Sequence, residues 1–160
     1  MENGYAIDDK GTVMVSVRSE IPQVTGEMCD LWFGWHTTES ARYKLWNPVA
    51  HQYTYRKPGS EGWSNNTYAE RYRGMVSWID EFVGNSAAKL SIEFIPPSEL
   101  GVDTAKWAET GIENMVIGRI FLGEYASVIT FLISFTKCAA SLTNTASSVL
   151  ASGLLTEPLN

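Results

Sequence analysis

The chain has 160 residues, of which 44% are hydrophobic and 19% are charged. This composition is too apolar for a disordered chain and is sufficient for the core of one domain of ordinary size. The formal net charge of −6 argues against a protein that binds nucleic acid through an overall basic surface.

The first predicted elements are a strand and a helix. Alternation in residues 12–17 predicts a strand that Pro22 ends. Thr25 is a suitable N-cap for a short helix, because its side-chain oxygen can accept a backbone hydrogen bond. The helix itself is predicted because apolar residues recur after Thr25 at i, i+3, i+4 and i+7. The residues expected to form this one helical stripe are Met28, Leu31, Trp32 and Trp35.

A second short helix is predicted from Glu39 to about Trp46, with Thr37 or Thr38 as its N-cap. Glu39 and Arg42 are spaced for an i,i+3 ion pair on this helix. The pair Asn-Pro at 47–48 ends it, because a residue before proline avoids the helical region.

From residue 51 onward the pattern is that of β-structure. The predicted strands are 52–56, 75–83, 89–95, 114–122 and 125–136. The last two are expected to pair across Gly123, and residues 98–111 form a polar connection. Two short helices followed by an antiparallel sheet define the α+β class.

The composition changes after Ser134. Ser, Thr and Ala account for about half of the residues from there to 160, and only Lys137 and Glu157 are charged. Leucines in this segment, beginning with Leu142, are compatible with a weak helix, and a tail of simple composition is the alternative. We therefore expect one domain over residues 1–135 and a Ser/Thr/Ala-rich tail or weak helix over 136–160.

Cysteine content and targeting signals favour a cytoplasmic protein. Cys29 and Cys138 are too few for a disulfide framework, and residues 1–20 contain no apolar secretory signal. The longest apolar uncharged run, 125–135, is shorter than the roughly 20 residues that a helix needs to cross a bilayer. Free thiols in the cytoplasm are the expectation.

The common catalytic motifs are absent from the sequence: Gly-x-Ser-x-Gly, the P-loop, His-Glu-x-x-His and Cys-x-x-Cys. Cys29 lies beside Asp30 on a Trp-rich helix, an environment that raises a thiol pKa and disfavours a nucleophile. The two histidines, His36 and His51, remain as candidates for chemistry.

Glu81 is the most informative acidic residue. On a period of two, its side chain shares a strand face with three apolar residues, which are Met75, Ile79 and Val83. A carboxylate in such a row costs free energy unless it is paired or bound to a metal. Asp80 lies on the opposite face, and the face argument alone does not choose between the two carboxylates.

Two sequence blocks carry a resemblance to a known family. The run Trp-Phe-Gly-Trp-His at 32–36, and Arg-Tyr-Lys-Leu-Trp-Asn-Pro at 42–48 followed by His51, resemble the signature of the 2,4-diacetylphloroglucinol (DAPG) hydrolase and phloretin hydrolase family. Glu-Phe-Val-Gly at 81–84 and the strand after it continue the resemblance, which covers about residues 22–130. Chance rarely supplies so many Trp and His residues at fixed offsets.

The resemblance implies a Bet v 1-like, helix-grip domain, in which a curved antiparallel sheet wraps around a long C-terminal helix. It implies hydrolysis of the carbon–carbon bond between a phenolic ring and an acyl group, with zinc as cofactor and a phenolic ketone as substrate. His51 and Glu81 match zinc ligands of the family. Tyr43 matches a tyrosine that hydrogen-bonds a phenolic hydroxyl, and His36 belongs to the motif and is taken as a second substrate-binding residue.

The sequence also departs from the family. A further His and Glu, one turn apart on the closing helix, complete the family's zinc site, whereas this chain has no His after His51. Thr54 stands where a family enzyme uses Asn for substrate binding, and the N-terminal dimerisation region is nearly absent, although a homodimer stays an alternative. The abrupt change in the tail predicts a truncated or frame-shifted reading of a longer gene.

Three readings of function follow from these observations. One is a zinc-dependent carbon–carbon hydrolase. Another is a non-catalytic Bet v 1-like module that binds an aromatic ligand, which the 12% aromatic content and the half-complete zinc site favour. The last is an inactive, truncated relative.

Overall fold

The structure is a computed structural model that describes residues 3–58, 65–122, 126–137 and 146–155. Within these residues, eight antiparallel strands form one sheet in the order β1-β2-β8-β7-β6-β5-β4-β3. The strands are β1 Gly4–Ile7, β2 Val13–Pro22, β3 His51–Arg56, β4 Val76–Val83, β5 Ser86–Ile95, β6 Ile112–Leu122, β7 Ala126–Lys137 and β8 Ala146–Leu155. With the helices α1 Gly26–His36, α2 Ser40–Trp46 and α3 Trp107–Thr110, they give the expected α+β class.

Helix α1 begins as predicted but buries a different face. The Thr25 hydroxyl accepts a hydrogen bond from the Met28 N–H at 3.2 Å, which confirms the N-cap. Met28 and Leu31 of the predicted stripe are exposed, and the helix instead buries Cys29, Phe33 and His36 together with two glycines. The periodicity of apolar residues misses this face because it ignores histidine and glycine.

The glycine at the start of α1 explains this orientation. A Cβ at Gly26 would lie 2.8 Å from Glu113 Cβ and 2.9 Å from Asn114 Cβ, both on β6. Since real side chains do not approach so closely, the absence of a Cβ lets the helix lie directly against the sheet. The Asn114 amide then donates to the Gly26 carbonyl at 3.1 Å.

Helix α2 ends at Trp46 as predicted, and its Glu39–Arg42 ion pair forms at 2.9 Å. The predicted N-cap is wrong, because Glu39 occupies that position without a capping side-chain bond. Thr37 and Thr38 instead donate to the carbonyls of Phe33 and Trp35 at 2.7 Å each. The last carbonyls of a helix lack intrahelical partners, so these hydroxyls satisfy carbonyls at the C-terminal end of α1.

Apolar clusters lie on both faces of the sheet. On the face that carries α1, the core consists of Cys29, Phe33, Tyr72, Phe94 and Val116. A second cluster, formed by Ile95, Met115 and Ile117, packs against the segment that contains α3. Successive residues of β6 thus point into different clusters, as the two-residue period of a strand requires.

The weak helix expected in the C-terminal segment is wrong where the structure describes it. Residues 146–155 form strand β8, which pairs antiparallel with β2 on one side and β7 on the other. Backbone hydrogen bonds along both edges of β8 outweigh the helix propensity of its alanines and leucines. Gly123, Cys138, Leu142 and Glu157 lie outside the described residues, and the division of the chain at residue 135 stays a prediction.

Strands β6 and β7 pair antiparallel, as expected from their sequences. Within the described ranges, no helix is long and apolar enough to cross a membrane.

Candidate metal and substrate site

The register of β3 and β4 places His51 directly opposite Glu81. His51 Nε2 lies 3.7 Å from Glu81 Oε2, and the two side chains are 14% and 20% exposed. Asp80 lies on the other face, where its carboxylate is 3.9 Å from Lys89 Nζ. The structure therefore selects Glu81 over Asp80 as the carboxylate beside His51, a choice that the sequence left open.

Tyr43 contacts both members of this pair. Its hydroxyl donates to Glu81 Oε2 at 2.8 Å, and its backbone carbonyl lies 3.0 Å from His51 Nδ1. Its ring stacks on the His51 ring with centroids 3.9 Å apart and planes inclined by 5°. Burial, and then the charge of Glu81, raise the pKa of the Tyr43 hydroxyl, so it stays protonated and remains a donor.

In both histidines, Nδ1 forms a hydrogen bond with a backbone carbonyl of a helix. His36 Nδ1 lies 2.7 Å from the Trp32 carbonyl, and His51 Nδ1 makes the corresponding contact to Tyr43. Because a carbonyl oxygen only accepts, Nδ1 carries the proton in each hydrogen bond. In the neutral ring, Nε2 then holds the lone pair that can bind a metal or accept a hydrogen bond.

His36 is buried in a row of four aromatic rings, here called the ring stack, which consists of Trp32, His36, Tyr43 and His51. Its ring is nearly parallel to Trp32 at 5.1 Å and to Tyr43 at 6.1 Å, and the residue is 2% exposed. Burial lowers the pKa of His36 to about 4, since the charged form would be poorly solvated. His36 is therefore a neutral imidazole at physiological pH.

Trp46 lies edge-on beside the ring stack. Its plane is nearly perpendicular to the rings of His36 and His51, with centroid distances of 4.9 and 5.6 Å. With 48% of its surface exposed, Trp46 connects the buried stack to solvent. The sequence contained this residue in the family motif, but nothing in its spacing indicated contact with both histidines.

The His51–Glu81 pair fits part of a zinc site. Zinc binds imidazole nitrogen and carboxylate oxygen at about 2.0–2.2 Å, so two ligands of one tetrahedral ion lie about 3.3–3.6 Å apart. The observed 3.7 Å between Nε2 and Oε2 is close to that separation. In the part of the chain that the structure describes, no group of three or more His, Cys, Asp or Glu residues converges on one position, so neither His36 nor Asp80 joins the pair.

Two other residues singled out in the sequence are engaged with the protein itself. Thr54 is buried, and its hydroxyl contacts the Thr37 carbonyl at 3.2 Å and the Ser77 hydroxyl at 2.9 Å. Burial, and then the charge of Asp30, raise the pKa of the Cys29 thiol, as its surroundings in the sequence predicted.

Comparison with known proteins places the chain in a family. A family model described as the DAPG hydrolase PhiG domain matches residues 1–141. The chain belongs to the DAPG hydrolase family. It is 32% identical over 131 residues to a 2,4-diacetylphloroglucinol hydrolase from a Pseudomonas species, covering 79% of this chain and 44% of that protein. A phloretin hydrolase from Eubacterium ramulus is 30% identical over 143 residues, which cover 88% of this chain and 47% of the relative.

This member of the DAPG hydrolase family spans about half the length of the curated relatives it matches. Among solved structures, a norcoclaurine synthase point mutant from Thalictrum flavum, in complex with a transition-state analogue, superposes with a TM-score of 0.50. The match covers 92% of this chain and 79% of that one at 12% identity, which bears on the fold alone. The Bet v 1-like α+β fold class that the resemblance implied is thereby confirmed, but its long C-terminal helix is not found in the described residues, where 146–155 form strand β8.

Proposed function

We propose that this chain serves a zinc-dependent hydrolysis of the carbon–carbon bond between a phenolic ring and an acyl group. The observation that carries the proposal is the His51–Glu81 pair, set by strand register in a chain whose relatives are hydrolases of DAPG and phloretin. An acylphloroglucinol-type ketone is the proposed substrate.

The overall reaction consumes one water molecule. The water oxygen bonds to the carbonyl carbon of the ketone, and the bond from that carbon to the ring breaks. The electron pair passes to the ring carbon, which takes up a proton, and the products are a carboxylic acid and the deacylated phenol. A polyhydroxylated ring accepts that proton readily because its keto form is accessible.

His51 Nε2 and Glu81 Oε2 are the atoms proposed to hold zinc. When bound, zinc polarises a carbonyl and lowers the pKa of a bound water. The other residues act on the substrate. His36 is neutral, and its Nε2 is an acceptor for a phenolic hydroxyl. The Tyr43 oxygen keeps lone pairs that accept from another, while Trp46 offers an apolar ring to the phenol.

The test of the metal site compares Glu81→Gln with Asp80→Asn, a neighbour on the same strand that faces the other way. We expect the parent and Asp80→Asn to bind about one zinc per chain, measured by elemental analysis and by titration calorimetry. Glu81→Gln should bind zinc at least 10-fold more weakly and keep its fold, because a carboxamide is a poor zinc ligand. Equal zinc affinity in Glu81→Gln and the parent would refute the assignment.

The test of activity uses DAPG and phloretin with the zinc-loaded chain. Release of the carboxylic acid and the deacylated phenol, absent from Glu81→Gln, is the expected result. A zinc-loaded chain that consumes neither ketone would contradict the hydrolase function for this chain.

A non-catalytic module that binds an aromatic ligand is the second candidate. It is favoured by the observation that the described residues offer two candidate zinc ligands, His51 and Glu81, whereas catalytic zinc sites have three protein ligands. In that case phloretin should quench tryptophan fluorescence without turnover and without added zinc. A cytoplasmic location and a homodimer also stay predictions.

A further inference from the structure

We infer that Tyr43 is a positioning residue that holds both proposed metal ligands, fixing the tautomer of His51 with its backbone and the orientation of Glu81 with its hydroxyl. The inference rests on the proposed function, because it concerns the same two ligands. It gives Tyr43 a role that differs from the substrate contact expected from the sequence.

The backbone contact joins His51 to the end of α2. Tyr43 lies in the last turn of this helix, where carbonyls have no intrahelical partner. The His51 ring donates from Nδ1 to the Tyr43 carbonyl at 3.0 Å, and the His51 backbone N–H donates to the Asn47 carbonyl at 2.8 Å. The backbone hydrogen bond anchors residue 51 beside the helix end, the Nδ1 hydrogen bond orients the ring, and Nε2 is left as the nitrogen that faces Glu81.

The hydroxyl contact fixes Glu81. Tyr43 donates at 2.8 Å to Oε2, the same carboxylate oxygen that lies 3.7 Å from His51 Nε2. Tyr43 is 4% exposed, so little water competes for this hydrogen bond. Hydrogen bonds of this kind to a ligating carboxylate or imidazole orient the ligands before a metal arrives.

Ring packing keeps the tyrosine in place for both contacts. The Tyr43 ring lies between those of His36 and His51, at centroid distances of 6.1 and 3.9 Å and inclinations of 14° and 5°. Such a stack restricts the rotation of the ring that would carry the hydroxyl away from Glu81. The proton of the hydroxyl is committed to Glu81, so a phenol that reaches Tyr43 must donate to it.

Tyr43→Phe separates the two contacts, because it removes the hydroxyl and retains the carbonyl and the stacked ring. We expect the zinc affinity of Tyr43→Phe to fall by about 10- to 100-fold. In the zinc-free protein, the ¹³C resonance of the Glu81 carboxyl should shift, while the ¹⁵N resonances of His51 keep the pattern of an Nδ1–H tautomer. Tyr53→Phe, which alters an exposed tyrosine on the same edge strand as His51, should change none of these quantities.

The outcomes distinguish this inference from the proposed function. Zinc binding by Tyr43→Phe as tight as that of the parent would overturn the positioning role. If the parent itself binds no zinc, the zinc proposal fails, and the zinc-free spectra decide the inference. A shifted Glu81 carboxyl resonance then supports it, and an unchanged resonance overturns it.

A second measurement covers the case in which Tyr43→Phe does not fold. The protein is labelled with 3-fluorotyrosine, and the ¹⁹F signal of Tyr43 is followed in Glu81→Gln and Asp80→Asn. A shift in Glu81→Gln alone supports the hydrogen bond that the inference needs. An unshifted signal in Glu81→Gln overturns it.

Discussion

Among the described residues, two buried tyrosines donate their hydroxyls to partly buried carboxylates, and the two pairs differ in what else surrounds the carboxylate. Tyr43 donates to Glu81 at 2.8 Å, and Tyr72 donates to Asp30 at 2.5 Å. Burial, followed by the neighbouring carboxylate, raises the pKa of both tyrosines. Taken alone, the two hydrogen bonds would suggest the same role for both pairs.

The surroundings of Asp30 complete a structural network. Arg73 lies 3.7 Å from Asp30, supplies the opposite charge, and also donates to Asn114 at 3.0 Å. Asn114 in turn donates to Gly26, so the network joins helix α1 to strand β6. A carboxylate that is paired and hydrogen-bonded in this way has its partners within the protein and needs no ligand.

Glu81 has no such arginine. In the described ranges, no Lys or Arg forms an ion pair with it, and its partner is His51, which carries a charge only when protonated. Under the proposed function, a metal cation would supply the positive charge beside Glu81 that Arg73 supplies beside Asp30. The two carboxylates are similarly exposed, at 20% for Glu81 and 17% for Asp30, so they differ in the neighbouring group, an imidazole in one case and a guanidinium in the other.

The largest expected effect on stability comes from Phe33, which lies between the Tyr43–Glu81 pair and the Tyr72–Asp30 pair. The Phe33 ring contacts both Tyr72, at 5.8 Å, and His36, at 5.2 Å. Phe33→Ala should lower the free energy of unfolding by about 3–5 kcal/mol, because it removes a buried ring and leaves a cavity. Urea denaturation at pH 7 measures this, with Phe82→Ala, on an exposed position of β4, as control. A loss no greater than in Phe82→Ala would show that the regions do not share a core.

A smaller effect is expected from His36 in the ring stack, whose contribution to the free energy of unfolding should depend on pH. The pKa of His36 is lowered from 6.5 to about 4 by burial, so the unfolded chain binds a proton more readily than the folded one. The contribution of His36 to stability is complete above pH 6.5 and is lost as the pH falls towards 4, by at most about 3 kcal/mol. The difference in unfolding free energy between the parent and His36→Gln, measured from pH 4 to 7.5, should show this trend. A difference that is constant with pH would contradict the buried neutral imidazole.

The smallest expected effect comes from Asp30, whose ionisation should lower stability as the pH rises, the opposite of the trend for His36. Burial raises the pKa of Asp30 above 3.8, with Tyr72 and Arg73 acting in the other direction. The folded state therefore retains the proton more strongly, and stability falls as the pH rises from about 3.8 through the folded pKa. Asp30→Asn should lack this decrease, whereas Glu109→Gln, at an exposed site on α3, should keep it. A decrease of equal size in Asp30→Asn would show that another group causes it.

Local signals in the sequence predicted much of the fold. The Thr25 cap, the Glu39–Arg42 pair and the end of α2 before Pro48 each depend on residues within a few positions. Strand β8 escaped prediction because its small polar residues have no hydrophobic period, and its pairing depends on two distant strands.

The candidate site depended more on resemblance than on pattern. The family motif supplied His51 and Glu81, whereas alternation alone left Asp80 equally eligible. The contact from Tyr43 to Glu81 spans 38 positions of the chain and depends both on the packing of α2 against β3 and on the β3–β4 register, neither of which residue spacing gives. Nothing in the sequence pattern distinguished Tyr43 from Tyr72.

Strand β2 has a consequence for how the molecule is made. One of its edges pairs with β1, its neighbour in the chain, but the other pairs with β8, whose residues lie more than 120 positions later. During synthesis on the ribosome, the edge of β2 that pairs with β8 has no partner until nearly all of the described chain has emerged. Because exposed strand edges associate with other chains and distant pairings form slowly, we expect this edge to be a target of chaperones in the nascent protein.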